Sequence, residues 1–270
     1  MESLEKYGIL TGDKIQIESR VLGIARVSIV GRSDIRSLLE KLTELQLSYF
    51  NQFGFTVKAY MSLYKLHQEL NSASDKSPAS EFSQYDLMGE SLRDDLQKNA
   101  YLFTVTLRTL LDLFVGIVDF ALYKEVRDEE KIPALGTMLP TRGYGAGYEN
   151  VNAELQTIKN MDWVKALTLM RHNVVHRGFL LVADLGFHKQ ERLIFKQERG
   201  VGGSLTHGGP IDIGAVLHDF ITNWPAIDEK MAYLLIDALS IPEPERTAKS
   251  IFTMDGGMTI LYHDGINQWS

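Results

Sequence analysis

The densest run of chemically capable side chains in the 270 residues is Arg171 to Gly178, RHNVVHRG. Arg171, His172, Asn173, His176 and Arg177 all ionise or hydrogen-bond strongly, while Leu167, Leu169, Met170, Val174 and Val175 around them are apolar. That mixture predicts the polar end of an amphipathic helix with one side in the core. At about 100° per residue, His172 and His176 stand about 40° apart with Asn173 beside them, so three polar groups share one face. Arg171 lies about 140° round the helix from His176. Its long side chain, or a second subunit, must then bring guanidinium and imidazole to one ligand.

Three chemistries fit these residue types. A plain polar helix end would carry Arg177 close to the C-terminal carbonyls, where a cation is favoured, and leave the histidines in water. A metal site would use His172 and His176 at the i, i+4 spacing of paired zinc ligands. However, Asn173 stands where HExxH has glutamate, and the third ligand would have to come from Asp184, His188 or further away. Metal-free phosphodiester chemistry needs an imidazole that moves protons near neutral pH and a guanidinium that stabilises a crowded phosphoryl transition state. Histidine and arginine are the residues that task calls for.

The elements that must hold this segment are mostly helical. From the candidate N-cap Ser33, apolar residues recur at helix spacing from Ile35 through Leu42, Tyr49, Tyr60 and Leu66, with Asn51 to Gly54 as a kink or break. Ser91 to Val126 repeats apolar residues every three or four positions, as a central helix would. Asn150 to about His176 reads as one helix ended near Gly178, and Ile213 to Leu239 as another, kinked around Pro225. Lys14 to Val30, KIQIESRVLGIARVSIV, suits a two-stranded hairpin; Arg192 to Gln197 and Ile251 to Tyr262 read as strands. The expected fold is mainly α: an N-terminal β decoration over 1–32, a helical bundle over 33–240 with a β insertion around 190–209, and a β extension over 241–270. Long connections fall at 71–89 and 127–149. Regular strand–helix alternation is absent, which excludes a doubly wound sheet.

Arg171-His172-Asn173-Val174-Val175-His176 resembles the signature of the HEPN superfamily of small helical bundles, an arginine and a histidine in R-x4-6-H spacing with a polar residue after the arginine. The Val-His-Arg-Gly continuation is similar to many members, and the preceding apolar helix, carrying Arg108-Thr109-Leu110-Leu111-Asp112, looks like the family's central one. The resemblance covers about 34–239 as a bundle and 171–178 as a motif. It implies metal-independent endoribonuclease activity, often in toxin or defence systems, with the motifs of a homodimer meeting in one cleft. Other members are inactive binding or assembly modules. Arg171 and His176 are then the motif pair, His172 fills the polar position, and Asn173 is a helper inferred from its place on the helix. Arg108 and Asp112 are supporting candidates, which an i, i+4 ion pair would equally explain. RNA is the expected substrate, with an antitoxin or other regulatory protein as a further partner, and no cofactor or metal.

Charge bears on partners. The whole chain carries −7, yet residues 163–200 hold seven cations against three carboxylates, a local +4. Arg177, Lys189, Arg192, Lys196 and Arg199 are the candidate RNA contacts within it, a pattern that a solvated mixed-charge hairpin also produces. Tyr144 and Tyr148 on the long loop are candidate base-stacking residues. Zero cysteines exclude disulfides, thiol nucleophiles and iron–sulfur clusters. The apolar run Ala100 to Tyr123 is interrupted by Arg108, Asp112 and Asp119, against a membrane span. The first twelve residues lack a signal-peptide apolar run, so a cytoplasmic location is expected. Gly143, Gly145 and Gly147 lack dinucleotide-loop spacing, and Ser204 lacks the GxSxG elbow of hydrolases.

Overall fold

The computed structural model describes residues 2–6, 9–11, 14–74, 90–124, 147–177, 181–182, 194–196, 211–255 and 258–264. Helices dominate them: α1 (Glu2–Lys6), α2 (Arg20–Val27), α3 (Ile35–Ser74), α4 (Glu90–Tyr123), α5 (Glu149–Asn160), α6 (Asp162–Arg177) and α7 (Ile213–Leu239). The strands are short: β1 (Leu10–Thr11), β2 (Lys14–Ser19), β3 (Leu181–Val182), β4 (Ile194–Lys196), β5 (Ile211–Asp212), β6 (Lys249–Asp255) and β7 (Met258–Asp264). The chain is therefore mainly α with small β additions. It divides into two compact units, the first formed by Phe55–Arg108 with Asp162–Phe220 and the second by Glu2–Gly54, Thr109–Met161 and Ile221–Ser270.

In the second unit an antiparallel sheet of order β1-β2-β6-β7 joins the two ends of the chain, with Ile17 opposite Phe252 and Phe252 opposite Leu261. The hairpin expected over Lys14 to Val30 is corrected here. β2 pairs with β6, and the second half of that stretch is helix α2. The switch falls at Ser19, whose Oγ accepts from the Leu22 N–H at 3.3 Å as an N-cap. From that point Val21, Leu22, Ile24 and Ala25 are all buried, a pattern alternation cannot produce. Gly23 sits where α2 crosses the Ala248 backbone, and a Cβ there would stand 2.5 Å from the Lys249 N. Phe50 stacks on Phe252 at 4.6 Å, and Trp224 meets Phe114 edge-on at 4.8 Å.

α3 is one helix through Asn51 to Gly54, which removes the break from the kink or break that the spacing left open, and the glycine there admits Met254. One further boundary differs from the sequence reading. The single helix expected from Asn150 is two, because Met161 adopts extended geometry (φ −61°, ψ 141°) between α5 and α6. Apolar spacing persists across that residue, so periodicity does not mark the break. Pro225 lies inside α7 and does not end it.

The first unit contains all of α6, parts of α3, α4 and α7, and an antiparallel sheet of order β3-β4-β5. Thr56 Oγ1 lies 2.9 Å from Thr106 Oγ1, and the Tyr60 and Phe103 rings are 6.3 Å apart, fixing α3 against α4. Trp163 at the start of α6 meets Phe220 of α7 at 5.5 Å. β3 begins four residues beyond the end of α6 and β5 runs directly into α7, so the sheet ties the end of one helix to the start of the other.

Candidate functional site on α6

Helix α6 carries the whole of 171–177. Trp163, Val164, Leu167 and Met170 are buried and anchor one side, while Thr168, Arg171 and His172 are exposed on the other. Thr168 and His172 are one turn apart and Arg171 three residues from Thr168, so the three share a solvent face. Thr168 Oγ1 donates to the Val164 carbonyl at 2.8 Å and accepts from Arg108 Nη1 at 3.1 Å. Arg108, on α4, is 6% exposed, so an otherwise buried guanidinium reaches out to the face that presents Arg171 and His172.

The backbone of Asn173, His176 and Arg177 is helical, which keeps the spacing of the motif; their side chains lie outside the described residues. Lys196 is placed on β4 by its backbone alone, and Lys189, Arg192 and Arg199 lie outside the described residues, as do Asp184, His188, Tyr144 and Ser204. Asp112 is half-buried one turn beyond Arg108. Tyr148 precedes α5 in the second unit, its ring edge-on to Tyr123 at 6.3 Å. Among the described residues no group of His, Asp or Glu has the arrangement of a metal site, and no helix is long and apolar enough to cross a membrane.

The structure adds residues that motif reading passes over. Asp212 caps α7 through the Ala215 N–H at 3.2 Å, and the Tyr60 hydroxyl lies 3.8 Å from where a Cβ on Gly214 would be. Burial first, then the Asp212 charge and Tyr64, push the Tyr60 phenol above its usual range. In the second unit, Arg26 Nη1 lies 2.9 Å from His263 Nε2, and His263 Nδ1 lies 2.9 Å from Ser250 Oγ. A guanidinium can only donate, so Nε2 accepts and the ring proton sits on Nδ1 facing the serine. Burial, then Arg26, hold the imidazole down to about 4. An aspartate before an apolar helix is a readable cap; the Arg26–His263 pair spans 237 residues and leaves no local trace.

No known family model, curated protein or solved structure matches the chain.

Proposed function

We propose that the chain is a metal-independent endoribonuclease of HEPN type, acting as a homodimer, with Arg171 and His176 as its reacting pair. The observation that supports this most is the exposure of Arg171 and His172 on a helix whose opposite side is locked by Trp163, Leu167 and Met170. A rigid helix holds catalytic groups more precisely than a loop does. Arg108 supports the same face from beneath, holding Thr168 by a 3.1 Å hydrogen bond.

Without a metal to supply hydroxide, the nucleophile is the RNA's own 2'-OH. His176 accepts its proton as O2' attacks phosphorus, Arg171 stabilises the non-bridging oxygens, and the P–O5' bond breaks as the imidazolium so formed returns that proton to the leaving O5'. His172 and Asn173 assist in orientation. The products are a 2',3'-cyclic phosphate and a 5'-OH. Incubating the protein with RNA in chelator tests this: cleavage persists, DNA is inert, and Arg171→Ala or His176→Ala each slows the reaction by about a hundredfold or more. Metal-restored activity would point to a His-ligated metal hydrolase instead. RNA or nucleotide binding without cleavage would mark the chain as a catalytically silent module.

A further inference from the structure

Within the second unit, the contact of Arg26 with His263 joins the far end of α2 to the last strand of the sheet. α2 is fastened at its N-terminus by Asp228 and along its length by the approach of Gly23 to the Ala248 backbone. Arg26 lies in its last turn. From there the guanidinium crosses to β7, a strand that pairs only with β6 among those described. Arg26 and His263 are both half-buried, whereas Ser250 on β6 is fully enclosed.

Both ring nitrogens of His263 are committed. Nε2 accepts from Arg26 Nη1 and Nδ1 turns its proton to Ser250 Oγ, each at 2.9 Å. A second proton can enter only at Nε2, where it would change an acceptor into a donor facing another donor. It would also set an imidazolium against a guanidinium, and the surrounding groups offer nothing to separate two cations. Ser250 and the Gln46 amide of α3, 3.5 Å from its Oγ, are neutral, and Arg26 Nε is buried without an acceptor. No residue one turn from Arg26 on α2, or from Gln46 on α3, is charged. Lys249, beside Ser250 on β6, turns to the other face of the sheet and meets Glu18 there at 3.0 Å; the register sets Asp264 of β7 opposite Lys249. Carboxylates therefore do not offset the pair: burial alone lowers the Arg26 pKa, and burial followed by Arg26 brings His263 down to about 4.

We propose that Arg26, His263 and Ser250 form an acid-released latch, in which a proton taken up at His263 Nε2 breaks the link between α2 and β7 and lets the edge strand open. The latch is independent of the chemistry proposed for α6. Its sign follows from the ring, which is depressed when latched and returns to its ordinary 6.5 when released. The latch is at full strength above about pH 6.5 and weakens as pH falls toward 4. Hydrogen exchange on the full chain, read as protection factors over Met258–Asp264, tests it. His263→Gln is the control, because its side-chain carbonyl accepts from Arg26 without titrating. From pH 7.5 to pH 5, β7 of wild type should lose about ten- to thirtyfold more protection than β7 of the variant. Nitrogen NMR of the seven histidines in wild type gives a reading that does not require the variant to fold. One ring should stay neutral, with its proton on Nδ1, down to pH 5.5. Equal loss of protection in the two proteins, or a full set of rings that titrate near 6.5, would overturn the proposal.

Discussion

Asp228 shows how much one residue can hold that its sequence neighbourhood conceals. It lies on α7, yet its carboxylate accepts the Ser19 hydroxyl at 2.6 Å and the Arg20 N–H at 2.5 Å, closing the N-terminus of α2 from 208 residues away. Burial outweighs those bonds and raises its pKa to about 6. A folded pKa above the unfolded one means the native state holds the proton more tightly. The stability Asp228 gains from that proton is therefore complete below about pH 4 and is lost as pH rises through 6. The side-chain amide of an Asp228→Asn variant would still accept from the Arg20 N–H and donate to Ser19 without titrating. Thermal melts of wild type and Asp228→Asn should consequently diverge: wild type gains relative to the variant on going from pH 7.5 to pH 5. Parallel shifts in the two proteins would refute the assignment. Asp228→Ala should lose about 2 kcal/mol or more at either pH, since it leaves buried donors unpaired. The α6 motif is legible because its residues are adjacent in sequence; Asp228, His263 and Arg26 are not, because their partners are distant.

At the scale of elements, legibility follows the length of the periodic pattern. On α4, Leu96, Phe103, Leu107, Leu110, Leu111, Phe114, Val118 and Leu122 are buried as their spacing predicts, and only Leu102 of that apolar series is exposed among the residues described. Thirty-four residues give a period room to declare itself. The six residues of β2 and eight of α2 do not, and the Ile and Val content of α2 favours strand locally. Tertiary packing decides the matter, since α2 is held by Asp228 at one end and by the close approach of Gly23 to the Ala248 backbone. The two buried glycines then make opposite predictions. Gly23→Ala pushes a methyl into main chain that cannot move, and should cost about 3 kcal/mol or more in urea denaturation. Gly54→Ala would meet the Met254 Cε at 2.6 Å, the end of a flexible side chain. Ala gains about 1 kcal/mol of helix propensity at that position, so its net effect should stay within about 1 kcal/mol of zero. Similar losses at both sites would show that α2 does not pack as described.

At the scale of the molecule, the proposed chemistry depends on assembly. Arg171 and His176 lie about 140° apart around one helix, too far round for both to address one phosphate from a single ideal face. A two-fold axis beside α6 removes the difficulty, because the arginine of one subunit then faces the histidine of the other. Light scattering should therefore give twice the 30.5 kDa chain mass at micromolar concentration. The sharper test mixes two inactive proteins. Arg171→Ala and His176→Ala subunits, unfolded and refolded together, form heterodimers that contain one intact arginine and one intact histidine on different chains. If the cleft is composite, the mixture cleaves RNA where neither parent does. If each chain holds its own site, no dimer in the mixture has both groups in one place and the activity stays absent. Salt provides the control on encounter: a basic segment of +4 on a chain of −7 should give RNA binding that weakens steeply as salt rises, in parent and mixture alike. Recovered cleavage with that salt dependence would assign the reaction to the dimer; a monomer in solution, or a mixture as inactive as its parents, would remove the composite cleft while leaving the helical fold untouched.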